Sequence, residues 1–401
     1  MSSPSSLTDS TSPWHVFLIF LRLGLTSFGG PVAHLGYFRD EFVHRRRWLS
    51  DASYADLVAL CQFLPGPASS QVGLALGLSR SGYAGALAAW CGFTLPSALC
   101  LILLGLGVVN YGTLLPVGVL QGLKVVAVAV VVQAVWGMAR TLCPDPFRIT
   151  LMVASACAVV VWPVASVQVL VILLTGLVGT CLLRPSQSSA HEPLPITVSV
   201  CAAVAWLVVF VVLLAGLPLL VFWFPEHWLA LIDTFYRAGS LVFGGGHVVL
   251  PLLQAEVVTD TGVSASTFLA GYGVTQAMPG PLFTFAAFLG AAMPQAPNGW
   301  LGGMLALLAI FLPSFLLVAG ALPFWEKVRH MPRVQAALMG VNAGVVGLLL
   351  AALYQPVWTS AVHTPFDYAC VLVAWVALMV WKCPVWLLVV LGALVGGILS
   401  V

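Results

Sequence analysis

The chain has 401 residues, of which 61% are hydrophobic and only 7% charged, with a mean hydropathy of +1.05 and a formal net charge of +2. Soluble domains carry about 25% charged residues, so this composition cannot cover a globular surface with polar groups. Apolar runs such as 86–109, 114–139 and 197–221 reach the roughly 20 residues that a spanning helix needs, and short alternating segments of the barrel type are not the pattern. The fold class is an all-α polytopic membrane protein.

The polar tail 1–13 has no Lys or Arg, so the basic region of a secretory leader is missing and the tail is expected to stay on the protein. The helix "WHVFLIFLRLGLTSFGG" follows, with Arg22 inside an apolar run. A charge at that depth costs about 2.5 kcal/mol or more unless it is paired or hydrated. Arg22 therefore either attracts an anion or is satisfied structurally by snorkelling or a salt bridge. Gly29 and Gly30 break this helix early, permitting irregular backbone or close packing. His34 comes next, then Glu41 beside Arg45, Arg46 and Arg47, where an interfacial ion pair is its expected role.

Residues 51–64 read as a short helix capped by Ser50 or Asp51. Pro65-Gly66-Pro67 ends it, and a second short helix begins near Ala68 with Ser69 and Ser70 in its first turn. Neither piece can span, so the pair is expected to be a re-entrant hairpin, a backbone form tolerated only where it is buried in protein or lines a wet cavity. The second helix would aim free N–H groups and its positive dipole end at that cavity, an anion-binding arrangement, with Gln62 as a neutral donor on the other arm. A tight structural turn is the plain alternative. Farther along, 147–183 and 367–401 are each too long for one span and short for two.

The chain is one unit written twice. Aligning "RLGLTSFGG" (22–30) on "RAGSLVFGG" (237–245) gives an offset of 215, placing Arg22 on Arg237, Gly29 and Gly30 on Gly244 and Gly245, and Glu41 on Glu256. After one deletion Gln62 falls on Gln276 and Pro65-Gly66-Pro67 on Pro279-Gly280-Pro281, with Thr284 matching Ser70. "TLPS" (94–97) then matches "FLPS" (311–314), and "DPF" (145–147) matches "TPF" (364–366). His247 follows the second break but is not the counterpart of His34. The expected organisation is a repeat at 14–183, a polar linker at 184–195, a connecting membrane helix at 196–221 and a second repeat at 222–401. Asp233 precedes Arg237 by one turn and could pair with it, whereas Leu18 holds that place before Arg22.

Matched loops carry opposite charge. The segment at 39–48 is basic while 254–264 has no Lys or Arg, and two further loop pairs show the same contrast. The positive-inside rule then sets equivalent loops on opposite faces, giving an inverted-topology repeat with a re-entrant hairpin at each PGP and a site near the midplane between halves. Counting spans competes with this: hairpins that cross fully twice at 147–183 and 367–401 would make the repeats parallel.

No nucleotide, zinc-hydrolase or CxxC pattern is present, and the nine cysteines are scattered through apolar runs. No cofactor, metal or nucleic-acid partner is expected, and an enzyme within the membrane lacks a catalytic constellation. A channel or a structural scaffold stays open as a less favoured reading.

The strings "FGGPVAHLGYFRDEFVHRRRWL", "YADLVALCQFLPGPASSQVG", "FGGGHVVLPLL" and "FLAGYGVTQAMPGPLFTFAAFLGA" closely resemble those of the chromate ion transporter family, over nearly the whole chain. The resemblance implies a multi-pass protein of the bacterial inner membrane, of the long type with two fused halves, that exports chromate and confers resistance. Chromate is a tetrahedral dianion like sulfate, so sulfate or another oxyanion is the alternative substrate, the bilayer is the obligate surroundings, and a homodimer is a compatible assembly. His34, His247, Glu41 and Glu256 are the candidates for proton coupling. Single cysteines introduced at positions 46 and 255 are expected to react with an impermeant maleimide from opposite faces; labelling of both from one face would refute inversion.

Overall fold

In hydrocarbon every backbone N–H and C=O must be satisfied within the protein, which leaves helices as the default for so apolar a chain. The computed structural model describes residues 12–28, 30–111, 117–184, 198–243, 249–260, 263–328 and 331–399. Among them there are helices and turns and no strand.

The chain opens with α1 (Pro13–Thr26), which begins on a proline suited to a first helical turn and ends where Ser27 turns extended. Next, α2 (Gly30–Arg39) starts on a glycine with φ of +79° and runs into a π-helical turn, Asp40–Arg45. This second piece doubles back along the first. Phe20 meets Phe38 and Phe42, with ring centroids 5.6 and 5.1 Å apart, and Arg46 Nη1 lies 3.3 Å from His15 Nε2. The chain therefore reverses between α1 and α2.

A second reversal follows. Helix α3 (Asp51–Phe63) is capped by Ser50, whose hydroxyl accepts the Ser53 N–H at 3.2 Å. The proline-glycine turn leads into α4 (Ala68–Tyr111), itself folded at Ser81 and Gly82, where Gly82 has φ of +61°. Its two arms press together at Gly77 and Gly85, so closely that neither could carry a side chain. The first arm returns to the level where α3 began, since Arg80 donates to the Trp48 carbonyl at 2.6 Å. The long second arm packs on α1, with Gly24 against the Gly92 and Phe93 carbonyls.

The remainder of the first half is α5 (Val117–Leu142), then α6 (Pro146–Val161) and α7 (Ala165–Leu182), a hairpin turned at Trp162, Pro163 and Val164. At about 1.5 Å per residue, helices of 16 and 18 residues explain a segment too long for one span. Helix α8 (Val200–Trp223) leads to the second copy.

There the order repeats as α9 (His227–Leu241), α10 (Val249–Asp260) and α11 (Ala265–Ala277), the second proline-glycine turn, a short 3-10 turn and α12 (Phe285–Ala291). Helix α13 (Gly299–Ala321) corresponds to the long arm of α4, and Gly290 meets Gly302 as Gly77 meets Gly85. Then come α14 (Trp325–Val328), α15 (Pro332–Ala352), a π-helical turn, α16 (Thr359–Ala361), α17 (Pro365–Met379) and α18 (Val385–Leu399).

The two halves interlock. The long arm of α4 and its counterpart α13 run antiparallel: Trp90 meets Phe311 and Phe315, Ile102 meets Gly303, and Leu106 meets Gly299. The terminal hairpins are exchanged. In one direction, α6 and α7 pack on α15, with Gly340 against Thr175 and Gly179 and Gly347 against Met152. In the other, α17 and α18 pack on α5, with Gly122 against Gly392 and Gly118 against Gly396. Lipid tails are as apolar as leucine, so such seams hold by close van der Waals packing at small residues. Gly340→Val, which would drive a side chain into the Thr175 carbonyl, should lower the thermal transition and the monodisperse yield on size exclusion by several-fold. Gly107→Val, facing open space, should change stability by no more than about 0.5 kcal/mol and leave the yield at the parent's level.

Candidate functional site

Both proline-glycine turns are built alike. The proline after Leu64 and after Met278 forces each of those residues extended, ending α3 and α11. Gly66 and Gly280 then adopt φ of +123° and +101°, a region that side chains strongly disfavour. Each tip is bound by the other half. The Gly66 N–H donates to the Val242 carbonyl at 2.6 Å, and the Gly280 N–H donates to the Ser27 carbonyl at 3.0 Å. Ser27 and Val242 are the residues that terminate α1 and α9, at equivalent positions of the repeat. A methyl group on Gly66 would lie 2.7 Å from Ser314 Oγ, and one on Gly280 would lie 2.9 Å from Ser97 Oγ, again the opposite half in each case.

The sequence candidates fall in several places. Pro65, Gly66, Pro67, Ser69 and Ser70 form the first tip and the first turn of α4, with Ser69 and Ser70 buried. Pro279, Gly280, Pro281 and Thr284 form the second, where the Thr284 hydroxyl donates to the Pro281 carbonyl at 2.7 Å. Gln62 is exposed on α3, whereas Gln276 is buried on α11. Arg22 lies on the exposed stripe of α1 with Trp14, Leu18 and Leu25. Arg237 donates to Asp233 at 2.9 Å. Gly30 opens α2, and Gly29, Gly244, Gly245 and His247 lie outside the described residues; Glu256 lies on α10.

His34 is 99% shielded, sits edge-on to Phe93 at 5.3 Å between ring centroids, and has the Ser27 backbone as its polar neighbour. Glu41 receives Arg46 Nε at 2.6 Å and Arg45 Nη1 at 3.0 Å. Burial opposes its ionisation, but the hydrogen bonds from Arg46 and Arg45 outweigh that and hold the carboxyl below the ordinary carboxylate range. Glu41 therefore stays charged at neutral pH. The stability this pairing lends is present there and is lost only as pH falls through the lowered value.

Several polar residues that periodicity and spacing did not single out also lie at the tips. Gln71 is fully buried in the first turn of α4; its Nε2 donates to the Pro65 carbonyl at 2.6 Å and its Oε1 has no partner among the described residues. The Ser27, Thr94 and Ser314 hydroxyls are likewise buried and unpartnered, as is that of Ser70, which the sequence did single out. Buried polar groups are ordinarily hydrogen-bonded to protein or water, and these stand together near the two tips. Asp56 is buried on α3 and accepts from Trp325 Nε1 at 3.2 Å, another bond between halves. No cluster of three or more potential metal ligands occurs among the described residues. An apolar cavity of about 460 Å³ lined by Tyr83, Trp90, Trp206, Phe311 and Phe315 presents almost no polar surface and suits acyl chains better than an anion.

Two cross-bonded halves of apolar helices, with buried polar groups gathered at paired chain reversals, define a duplicated multi-pass membrane protein of the transporter kind. The chain belongs to the chromate transporter family, whose sequence profile matches residues 14–180 and again 229–397; this is a family of transporters, not of enzymes. It is similar to the chromate transport protein of Pseudomonas aeruginosa, at 29% identity over 90% of this chain and 87% of the relative. Similarity to the chromate transport protein of Cupriavidus metallidurans is 27%, over 87% and 83% of the two chains. A probable chromate transport protein of Synechococcus elongatus is 26% identical over 83% and 82%. No solved structure matches the chain.

Alanine at Gly66 or Gly280 would place a methyl group both in a disfavoured backbone region and against a serine. Each substitution should destabilise the protein by about 1–2 kcal/mol or more, read as a lowered thermal transition in detergent, and should abolish most transport. Unchanged stability would mean that the tips are not held as described.

Proposed function

We propose that the chain exports chromate as a secondary transporter, using the paired tips as the region where the anion is held. The observation that carries this reading is the set of buried, unpartnered polar groups around two chain reversals that each half fastens for the other. The named relatives supply the anion. A helix N-terminus with hydroxyls beside it can hold a tetrahedral dianion through neutral donors, and sulfate, of the same shape and charge, is the closest competitor.

Antiparallel packing of the equivalent helices α4 and α13 supports inverted membrane topology. So does the count. If the α1–α2 pair and the α3–α4 reversal each return to the face they started from, the full crossings before α9 are the long arm of α4, α5, the α6–α7 pair and α8. That number is odd whether or not α6 and α7 cross completely, so the second half starts from the opposite face. The tips then sit at depth as re-entrant turns in an alternating-access mechanism.

Export needs no nucleotide. Moving one charge through 100 mV is worth about 2.3 kcal/mol, so a dianion leaving an inside-negative cell gains about 4.6 kcal/mol at that potential. Arg22, on a face where charge is unfavourable unless hydrated, would draw the anion towards the tips. His34, buried beside the Ser27 backbone that receives the second tip, is the candidate for proton coupling.

Everted vesicles should take up chromate faster when an inside-positive potential is imposed, and Arg22→Gln should cut that uptake several-fold at low chromate while leaving membrane insertion intact. Absence of chromate uptake under any potential or pH gradient would refute the reading. Wild-type flux in the Arg22 variant would return that arginine to a structural role.

A further inference from the structure

The repeat matches the two tips in sequence, yet their chemistry differs. At the first tip the Ser70 and Ser314 hydroxyls and Gln71 Oε1 are all buried without partners. Ser314 and Gln71 both stand directly against Gly66. At the second tip the residues equivalent to these three are already used or absent, and the buried hydroxyls without partners there are those of Ser27 and Thr94, which have no hydroxyl counterpart at the first tip. Thr284, counterpart of Ser70, donates its hydroxyl to the Pro281 carbonyl at 2.7 Å. Ser97, counterpart of Ser314, donates to the Thr94 carbonyl at 3.1 Å. Gln71 is replaced by Phe285, which is fully buried.

The backbones differ in the same sense. The first arm of α4 starts as regular α-helix at Ala68, with the Gln71 N–H on the Pro67 carbonyl at 3.0 Å. Its earlier N–H groups are those that a helix leaves without intrahelical acceptors. The second tip begins with the 3-10 turn Leu282–Thr284, and the Thr284 N–H already donates to the Pro281 carbonyl at 3.1 Å. The α-helix beyond it has only seven residues.

Resting on the transport reading above, we propose that the two tips are not equivalent and that a single tetrahedral oxyanion is held at the first. Its donors are the first-turn N–H groups of α4, the Ser70 hydroxyl and, from the other half, the Ser314 hydroxyl, with Gln71 fixing the turn through Pro65. The second tip is the fastening that positions α1 through the Ser27 carbonyl. No ionised side chain belongs to this donor set, so the site selects by shape and by hydrogen-bond direction, while the dianion's charge is met by oriented backbone dipoles. A site with a contributor from each half can also open when the halves move, because Ser314 leaves with α13 while Ser70 stays with α4.

The sharpest test compares the same substitution at the two symmetry-related serines. In proteoliposomes, Ser314→Ala should raise the chromate KM about tenfold or more, the loss expected when a hydrogen bond to a charged group is removed. Ser70→Ala should act similarly, and sulfate should compete in the parent but weakly in either variant. Ser97→Ala, whose hydroxyl serves its own helix, should change KM less than about twofold at equal protein content. Chromate-induced thermal stabilisation of the purified proteins gives the same comparison without flux. Equal effects at Ser97 and Ser314 would overturn the asymmetry while leaving chromate transport standing. Neither flux nor stabilisation in the parent protein would overturn the transport reading and this site together.

Discussion

Two hydrogen bonds carry the architecture: Gly66 to Val242 and Gly280 to Ser27. A backbone that turns round inside a membrane exposes N–H and C=O groups where no lipid can satisfy them. Here the open end of a broken helix in one half is closed by the turn of the other. Each turn finds a backbone acceptor in the other half, so the halves are joined at the points where their helices are broken. The positive φ angles at both glycines follow from this constraint, because the N–H must be aimed across the boundary and no side chain can be accommodated beside the facing serine.

Around that centre the halves are joined by surfaces that only glycine permits. Contacts such as Gly122 with Gly392 and Gly340 with Thr175 bring backbones together where any larger residue would collide. In water such helices would be driven together by burying apolar area. In lipid that force is absent, and the gain comes from fitting closely at small residues. Exchange of the terminal hairpins spreads these contacts over both halves, so the duplication visible in the sequence does not correspond to two separable bodies.

Much of this was legible in the residues. The doubled PGP with its preceding glutamine pointed to paired reversals, because two prolines around a glycine cannot continue a helix. Loop charges pointed to inversion against a simple count of spans. The pairing of α1 with α2 was not legible: "WHVFLIFLRLGLTSFGG" has the length and apolarity of a crossing, and nothing in its periodicity says that Phe38 and Phe42 will return to Phe20. The donors at the tips were only half legible. Ser69 and Ser70 follow the turn directly and invite attention, but Ser314 lies 30 residues and more from either PGP, in a "FLPS" match that reads as helix packing. Its place against Gly66 comes from the antiparallel pairing of α4 with α13, a relation between halves that no local pattern carries. Arg22 shows the converse, since depth in a helix is readable from sequence but the face that a residue occupies depends on its neighbours.

The seam between α5 and α18 also sets an order in time. Gly122 emerges from the ribosome 270 residues before Gly392, the residue it packs against. At about 5–20 residues per second, α5 waits on the order of 10–50 s in the bilayer with its glycine face uncovered. During that interval the face that α18 will cover is open to any other small-residue helix.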